Sequence, residues 1–334
     1  MKAAFYTRPE GVEVRDVPRP DPDSGEALVR VRACGICGSD LHFYRGHLPA
    51  FLANSPGHEF SGEIAELGSD IRGWRREQAV LIDPLLTCGQ CVQCRVGSGN
   101  LCPRRRLMGA LAPGGMAEYV RVPIGALRPL PEEMDFELAT LVEPLAVAVH
   151  ALHLVGLTAG QRLLVLGGGG LGALLVLAAR SLGAEEVAVV CRYPQQMEAV
   201  REMGASRVTS AAEPLVPQGD PPGIVVDAAG GAGTALDEAV GLVAPGGAVL
   251  LLGASGGQAT LGLMRLLLKQ VRIVSSLGHC EIGSDFEVAV GMIAKEPDRA
   301  RRLVSHRFSI SEAAKAFDTA GDKATGSLKV LVCP

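Results

Sequence analysis

The order of apolar and polar positions divides the chain into a strand-rich beginning and a middle of alternating strands and helices. Over residues 1–130, the runs MKAAFY, VEVRDVP, EALVRVRAC, EFSGEIAEL, AVLI and AEYVRVP are short and punctuated by turn residues. They predict mostly β structure, because helical spacing is scarce there. From about 135 the pattern changes, and FELATLVEPLAVAVHALHLV predicts a helical bridge. Beyond it, RLLVLG (162–167), VAVVC (187–191), SRVT, IVVDAAG (224–230), AVLLLG (248–253) and VRIVSS (271–276) read as strands. Helices through LGALLVLAARSLG, PQQMEAVREMG and ALDEAVGLV separate several of them. Strand–helix alternation implies right-handed crossovers and a parallel, doubly wound sheet, so the chain is α/β. The stretch 211–223, AAEPLVPQGDPPG, is too rich in proline for a helix and is expected to cross over as a loop. The tail from DFEVAVGMIA to SLKVLVCP is expected to hold two helices and a strand.

Length and composition narrow the class. A chain of 334 residues suggests two domains. A net charge of −4 with no Lys/Arg stripe argues against nucleic acid as a partner. The Arg104–Arg106 cluster reads as a solvated loop. The apolar stretches around 171–179 and 248–252 are too short to span a membrane, so no membrane partner is expected. Residues 1–30 contain no apolar leader, and nine cysteines is an odd number. Both favour reduced thiols and a cytoplasmic setting over disulfides.

Four of those cysteines form Cys88-x2-Cys91-x2-Cys94-x7-Cys102. That spacing lets four thiolates converge on one zinc in a closed S4 shell, which clips a small lobe (85–105) and leaves no position for substrate. Iron–sulfur ligation uses similar spacings and is the alternative.

GGGGLG at 167–172 follows an apolar strand and opens a helix. Gly167 would make the tight turn, Gly169 let the backbone approach a pyrophosphate, and Gly172 permit close helix–sheet packing. The free N–H groups of the helix start would then meet the phosphates of a dinucleotide. An NAD site calls for an acid at the end of the following strand, to bond the ribose 2′-OH. Here that place reads Cys191-Arg192-Tyr193. An arginine would clamp a 2′-phosphate, so NADP is favoured, with NAD the alternative and a solvated surface arginine the bland reading.

ACGICGSDLHFY (33–44) and SPGHEFSGEIAELG (55–68) add a second metal constellation. Cys37, His58 and Glu59 offer the mixed S, N and O donors of open catalytic zinc sites. With these residues in hand, GHEFSGEIAELGSDI resembles the zinc alcohol dehydrogenase signature of the medium-chain dehydrogenase/reductase superfamily. The resemblance extends over essentially the whole chain, including VEPLAVAVH (142–150) and SHRFSISEAAKAFD (305–318), and CGICGSDLH with LVEPLAV is most similar to the sorbitol, butanediol and threonine dehydrogenase branch.

The resemblance implies a GroES-like, mostly β catalytic domain from 1–145 and 285–334, and a Rossmann cofactor domain at 146–284. It implies two zincs per chain. One would sit in the cysteine lobe; the other would be held catalytically by Cys37 and His58 with Glu59, while Glu143 would ligate directly or through the zinc-bound water. Asp40 would orient the ligating histidine, its alternative role being a helix cap. Ser39 and His42 would relay the substrate proton to solvent, although His42 could be an ordinary surface histidine. Gly170, Leu171, Gly253, Leu277 and Gly278 would join Gly167, Gly169, Gly172 and Arg192 around the cofactor. The implied reaction is reversible hydride transfer between a secondary alcohol, diol or polyol and the nicotinamide, in a homo-oligomer, a tetramer rather than a dimer. The segment 261–271 is a candidate subunit contact, or else a buried part of the cofactor domain.

Departures from the pattern bear on substrate. Where sorbitol dehydrogenases have an Arg-Tyr pair, this chain reads Leu277-Gly278-His279. Phe43, Tyr44 and residues 48–54 would instead make a more apolar pocket for a smaller or less hydroxylated alcohol. A threonine or sugar dehydrogenase of the same family is the alternative enzyme. A cofactor-binding scaffold that keeps only the structural zinc is the alternative without turnover.

Overall fold

The structure is a computed structural model and describes residues 1–8, 10–48, 54–210, 220–229, 235–253, 258–280 and 284–334. The chain divides into two compact units, 1–143 with 280–282 and 293–334, and 144–279 with 283–292.

The strands of the first part are β1 (Lys2–Arg8), β2 (Gly11–Asp16), β3 (Glu26–Gly35), β4 (Glu59–Leu67), β5 (Ala79–Ile82), β6 (Leu85–Leu86), β7 (Arg106–Leu107), β8 (Tyr119–Pro123) and β9 (Leu127–Pro129). Between and after them come the helices α1 (Gly38–Tyr44), α2 (Val92–Arg95), α3 (Phe136–Ala139) and α4 (Val142–Val155). Then follow β10 (Arg162–Leu166), α5 (Gly170–Ser181), β11 (Glu186–Val190), α6 (Pro194–Glu202), β12 (Arg207–Thr209), β13 (Ile224–Asp227), α7 (Ala235–Leu242), β14 (Ala248–Leu251), α8 (Leu263–Lys269), β15 (Arg272–Ser275) and α9 (Asp285–Lys295). The chain continues through α10 (Pro297–Arg301), β16 (Val304–Ser309), α11 (Ala313–Gly321) and β17 (Lys329–Cys333).

The main sheet of the first unit runs β16-β17-β3-β4-β5-β9, with β8 also paired to β3. β3 reads EALVRVRACG, and its alternation puts Val29 and Val31 into a core with Phe60, Ile64, Val80, Val122 and Phe317. β17 is KVLVC, buried along most of its length, and each of its three central apolar residues contributes roughly 1.5–3 kcal/mol on burial. Its register sets Leu331 opposite Gly35, and Gly35 in turn pairs with Glu59 at the head of β4. Three segments distant in sequence therefore meet at one end of the sheet.

The second unit contains a six-stranded parallel sheet in the order β12-β11-β10-β13-β14-β15. Its four inner strands, β11, β10, β13 and β14, are nearly continuous apolar runs buried along most of their length, as expected where both faces of a sheet are covered. α5 buries every residue from Gly172 to Ala179, an apolar helix all round at the centre of its layer. The chain leaves β10 toward β11 on one side and returns to β13 on the other, so a crevice opens at the carboxyl ends of these two strands. At the edge of this unit the buried Asp285 accepts from both His150 and His153, each Nδ1 at 2.8 Å.

Three expectations need correction. The helical bridge is two helices, α3 and α4, because Thr140 turns its hydroxyl onto the Glu137 carbonyl at 2.6 Å between them. The stretch Phe136–Val155 is also long and apolar enough to span a membrane by length and composition, longer than the two stretches noted above, yet 83 % of its 18-residue apolar window is buried inside the protein. The tail holds α9, α10, β16, α11 and β17; β16 escaped notice because VSHRFS lacks an apolar alternation. Most of the 211–223 crossover and of the 48–54 apolar run lies outside the described residues.

Candidate active site

The first cluster is assembled by the end of the main sheet and the start of α1. Cys37 is the N-cap of α1, and Asp40, three residues on, reaches back to accept from the Cys37 amide at 2.9 Å. This cap fixes the loop that carries the thiol. Asp40 is fully buried; its Oδ1 lies 3.8 Å from His58 Nδ1 and receives the Tyr6 hydroxyl at 3.3 Å. Glu59 is likewise fully buried at the head of β4, and Lys329 of β17 donates to its Oε2 at 2.5 Å. The other oxygen, Oε1, has no hydrogen-bond partner among the described residues. A Cβ at Gly35 would lie 2.3 Å from Glu59 Oε2, so only glycine leaves space for this carboxylate.

Cys37, His58 and Glu59 each offer a donor atom, and the three lie within 4.8 Å of one another. Glu143, at the start of α4, is buried but stands outside that trio. Electrostatics agree with a site built for a cation. Burial disfavours the His58 imidazolium, yet Asp40, Cys37 and Glu143 outweigh it and hold its pKa well above the usual histidine range. Lys329 behaves alike: burial opposes its charge, while Glu59, Cys37 and Glu143 raise its pKa. Burial dominates at Asp40 and lifts its carboxyl. A buried orphan carboxylate oxygen beside a thiol and an imidazole fits a divalent metal with an open position.

The four lobe cysteines also converge. Cys91 and Cys94 sulfurs are 3.5 Å apart, Cys88 and Cys102 3.6 Å, and Cys88 and Cys94 3.8 Å. A tetrahedron of Zn–S bonds ~2.3 Å long has edges of about 3.8 Å, so the spacing suits one zinc. None of the nine cysteines is joined to another by a disulfide bond in this structure. Backbone amides of Gln90 and Cys91 pull the Cys88 thiol down to about 6, a thiolate ready to ligate.

In the second unit, the glycine turn follows β10 and Gly169 caps α5. A Cβ at Gly172 would meet the Gly167 carbonyl at 1.9 Å, so the helix can approach the turn only with glycine there. A Cβ at Gly169 would project into open space. Gly170, Leu171 and Gly172 start the helix with N–H groups that have no intrahelical acceptor. Gly253 follows β14 with its N–H on the Asp227 carbonyl at 2.8 Å, and Leu277 and Gly278 follow β15. Arg192, after β11, is exposed and bonds to no described residue. The predicted cofactor residues thus gather at the carboxyl ends of parallel strands, where α/β sheets bind nucleotides.

Residues 23–132 match the alcohol dehydrogenase GroES-like domain, and residues 170–295 match the zinc-binding dehydrogenase family. The chain belongs to the zinc-containing alcohol dehydrogenase family. Sorbitol dehydrogenase of Bacillus subtilis is 29% identical over 100% of this chain and 97% of its own length. A zinc-binding dehydrogenase from Sinorhizobium meliloti, solved with NADP, is 31% identical with a TM-score of 0.90, covering 100% of this chain and 99% of that one. The alcohol dehydrogenase rspB from Escherichia coli CFT073, solved with NADH, is 28% identical at a TM-score of 0.92, with 100% and 99% covered. As a member of this zinc dehydrogenase family, the chain is an alcohol- or polyol-type oxidoreductase that uses zinc and a nicotinamide cofactor.

Lys329 and Tyr6 were missed from sequence. A lysine opening an otherwise apolar strand, KVLVC, was the available signal, since a buried ammonium needs a partner. Tyr44 was expected to line a substrate pocket, but it is a core residue: its ring packs 5.2 Å from Phe317 and its hydroxyl donates to Asp318 at 2.7 Å. Phe43 packs partly against the same core.

Proposed function

We propose that this chain reversibly oxidises a small secondary alcohol, diol or polyol with NADP in preference to NAD. The observation that carries the reading is the Cys37–His58–Glu59 trio with its orphaned carboxylate oxygen. Cys37 and His58 would hold a catalytic zinc with Glu59 or Glu143, and the four lobe cysteines a structural one, two per chain. When bound, the zinc supplies a Lewis acid and the nicotinamide a hydride acceptor. The rest falls to the protein. Asp40 keeps His58 turned toward the thiol, and Lys329 balances part of the site's negative charge. Ser39 and His42, on α1, carry the substrate proton outward as a general-base relay.

The first amides of α5 would receive the pyrophosphate, with Gly167, Gly253, Leu277 and Gly278 forming the walls of the crevice. Arg192, unengaged and exposed, supports recognition of a 2′-phosphate. Leu277 and Gly278 in place of a hydrogen-bonding pair favour substrates with fewer hydroxyls than sorbitol. The proposed domains are 1–145 with 285–334 for catalysis and 146–284 for the cofactor. Nine free thiols favour a reducing, cytoplasmic location.

A homo-oligomer is part of the same reading. Leu263, Met264, Leu267 and Leu268 on α8 are 65–76 % exposed, and Ile273 lies nearby in sequence on edge strand β15. Together they present on the order of 600 Å² of apolar surface, large for a monomer and near the ~800 Å² each partner gives a stable interface. A second copy is the occupant that fits, since a bare strand edge is self-complementary about a twofold. Exposed Val92, Val96 and Leu101 on the cysteine lobe would serve a second contact, favouring a tetramer over a dimer.

The test is a spectrophotometric panel with zinc-loaded protein, NADP and NAD against secondary alcohols, diols, polyols, sugars and threonine. Fastest turnover of a secondary alcohol or diol with NADP is expected. Threonine or a sugar as the best substrate would move the chain to another branch, and no turnover of any would overturn the reading.

A further inference from the structure

We infer that His47 is the outer proton acceptor of the site, taking the proton from His42 and delivering it to water; this rests on the relay reading of Ser39 and His42. The geometry is built by the end of α1. Arg45 N–H caps onto the Leu41 carbonyl, and Gly46, at φ 73°, reverses the chain. The amides of His47 and Leu48 then both return to the His42 carbonyl, at 2.9 and 3.3 Å. This αL ending is a common helix C-cap. Here it folds the imidazole of His47 over that of His42, with ring centroids 5.5 Å apart.

The two Nδ1 atoms are 3.3 Å apart. A hydrogen bond at that distance requires a proton on one nitrogen and a lone pair on the other, so the rings share one N–H. His42 is half-buried and His47 exposed, which orders them from inside to outside. In alcohol oxidation His42 gains the substrate-derived proton on one ring nitrogen and releases its Nδ1 proton to Nδ1 of His47. His47 then gives its Nε2 proton to water. Ketone reduction runs the same transfers backward; before the next oxidation the half-buried His42 ring regains its starting tautomer by exchanging its own N–H with water, as His47 does at the surface. No oxidant or metal enters these steps.

Other charged groups on or packed against α1 are engaged elsewhere. Asp40 is bonded to Cys37, Arg45 to the Gly321 carbonyl, Asp318 to Tyr44 and Lys323 to the Ala320 carbonyl. Glu10 meets this segment through its backbone amide on the Tyr44 carbonyl. Among these groups, His47 is the one whose ring meets that of His42, nitrogen to nitrogen.

The experiment compares wild type, His47→Gln, His42→Gln and the double variant in oxidation of 2,3-butanediol, or of sorbitol should the panel rank it higher. Each is assayed across neutral to alkaline pH with and without added imidazole. His47→Gln is expected to lower kcat roughly threefold to tenfold near neutrality with KM little changed, a fraction of what general-base catalysis contributes. The loss should fade as hydroxide replaces the acceptor, and imidazole should restore it. The double variant should be no slower than His42→Gln alone. A His47→Gln enzyme with wild-type kcat beside an impaired His42→Gln enzyme would overturn the role of His47 and leave the relay standing. Wild-type kcat in both would remove the relay itself. A loss in His47→Gln that imidazole does not restore would mark the residue as structural.

Discussion

Lys329 grips Glu59 by one carboxylate oxygen and leaves the other without a hydrogen-bond partner among the described residues, inside a site where both residues are buried. The pair spans 270 residues of sequence and fixes the direction in which the carboxylate points. Removing the lysine alone strands a buried charge, the costly way to break such a pair. Lys329→Met is therefore expected to destabilise the metal-free protein by about 3–5 kcal/mol. Lys329→Met/Glu59→Gln should recover much of that. Urea denaturation of the three proteins measures it, and equal losses in the single and double variants would show that the pair's charge is not what matters.

The cysteine lobe predicts a separable defect. Cys94→Ser should lower zinc from two per chain to one and reduce thermal stability, because the S4 shell supplies what a small lobe cannot gain from its own core. Turnover per remaining folded site should stay close to wild type. Metal analysis beside active-site titration decides this, and loss of both zincs would mean the two sites are not independent.

Cofactor choice is expected to follow Arg192. Hydrogen bonds to a charged phosphate contribute about 1.5–3 kcal/mol, so Arg192→Asp should shift the NADP/NAD ratio of kcat/KM toward NAD by roughly tenfold to a hundredfold. An unchanged ratio would show that the arginine does not read the phosphate.

Asp135 gives a pH signature. It caps α3 by accepting from the Leu138 amide and pairs with Arg301. Partial burial works against the carboxylate, but the Leu138 amide and Arg301 prevail and hold its pKa below the usual aspartate value. With the folded pKa depressed, the stabilisation is complete above the ordinary aspartate pKa and disappears as pH falls through the depressed one. Asp135→Ala should cost about 1 kcal/mol at neutral pH, the usual loss of an N-cap, and progressively less in acid. Half of the cap is exposed, so the ion pair itself adds little. Paired denaturation curves at neutral and acidic pH check the trend.

The exposed face of α8 predicts assembly. Leu267→Asp with Leu268→Asp should lower the particle mass seen by light scattering while leaving the secondary structure intact. Unchanged mass would place the subunit contact elsewhere.

The inner strands of the parallel sheet were legible because both their faces are covered, which makes them continuous apolar runs such as IVVD. Cys88 to Cys102 were legible as a cluster because ligand spacing is local. What stayed hidden depends on register between distant strands. Nothing around Lys329 announces that Leu331 lies opposite Gly35, which pairs with Glu59. Tyr44 was misread because an aromatic next to a metal loop looks the same whether it turns toward substrate or toward Phe317. β16 was missed because only its first residue, Val304, is buried, so its residues show no period, and it is held in the sheet by pairing parallel with β17.

The two metal sites also differ in how far the chain must travel to make them. Four thiols within one short lobe can capture an ion as soon as that loop closes, well before the rest of the chain is ordered. The carboxylate at Glu59 acquires its counter-charge only after a strand 270 residues away has zipped onto β3. Long-range pairing of that kind comes late and slowly. In a refolding time course, fast zinc uptake should therefore report the lobe, and slow uptake should report the completed main sheet of the first unit.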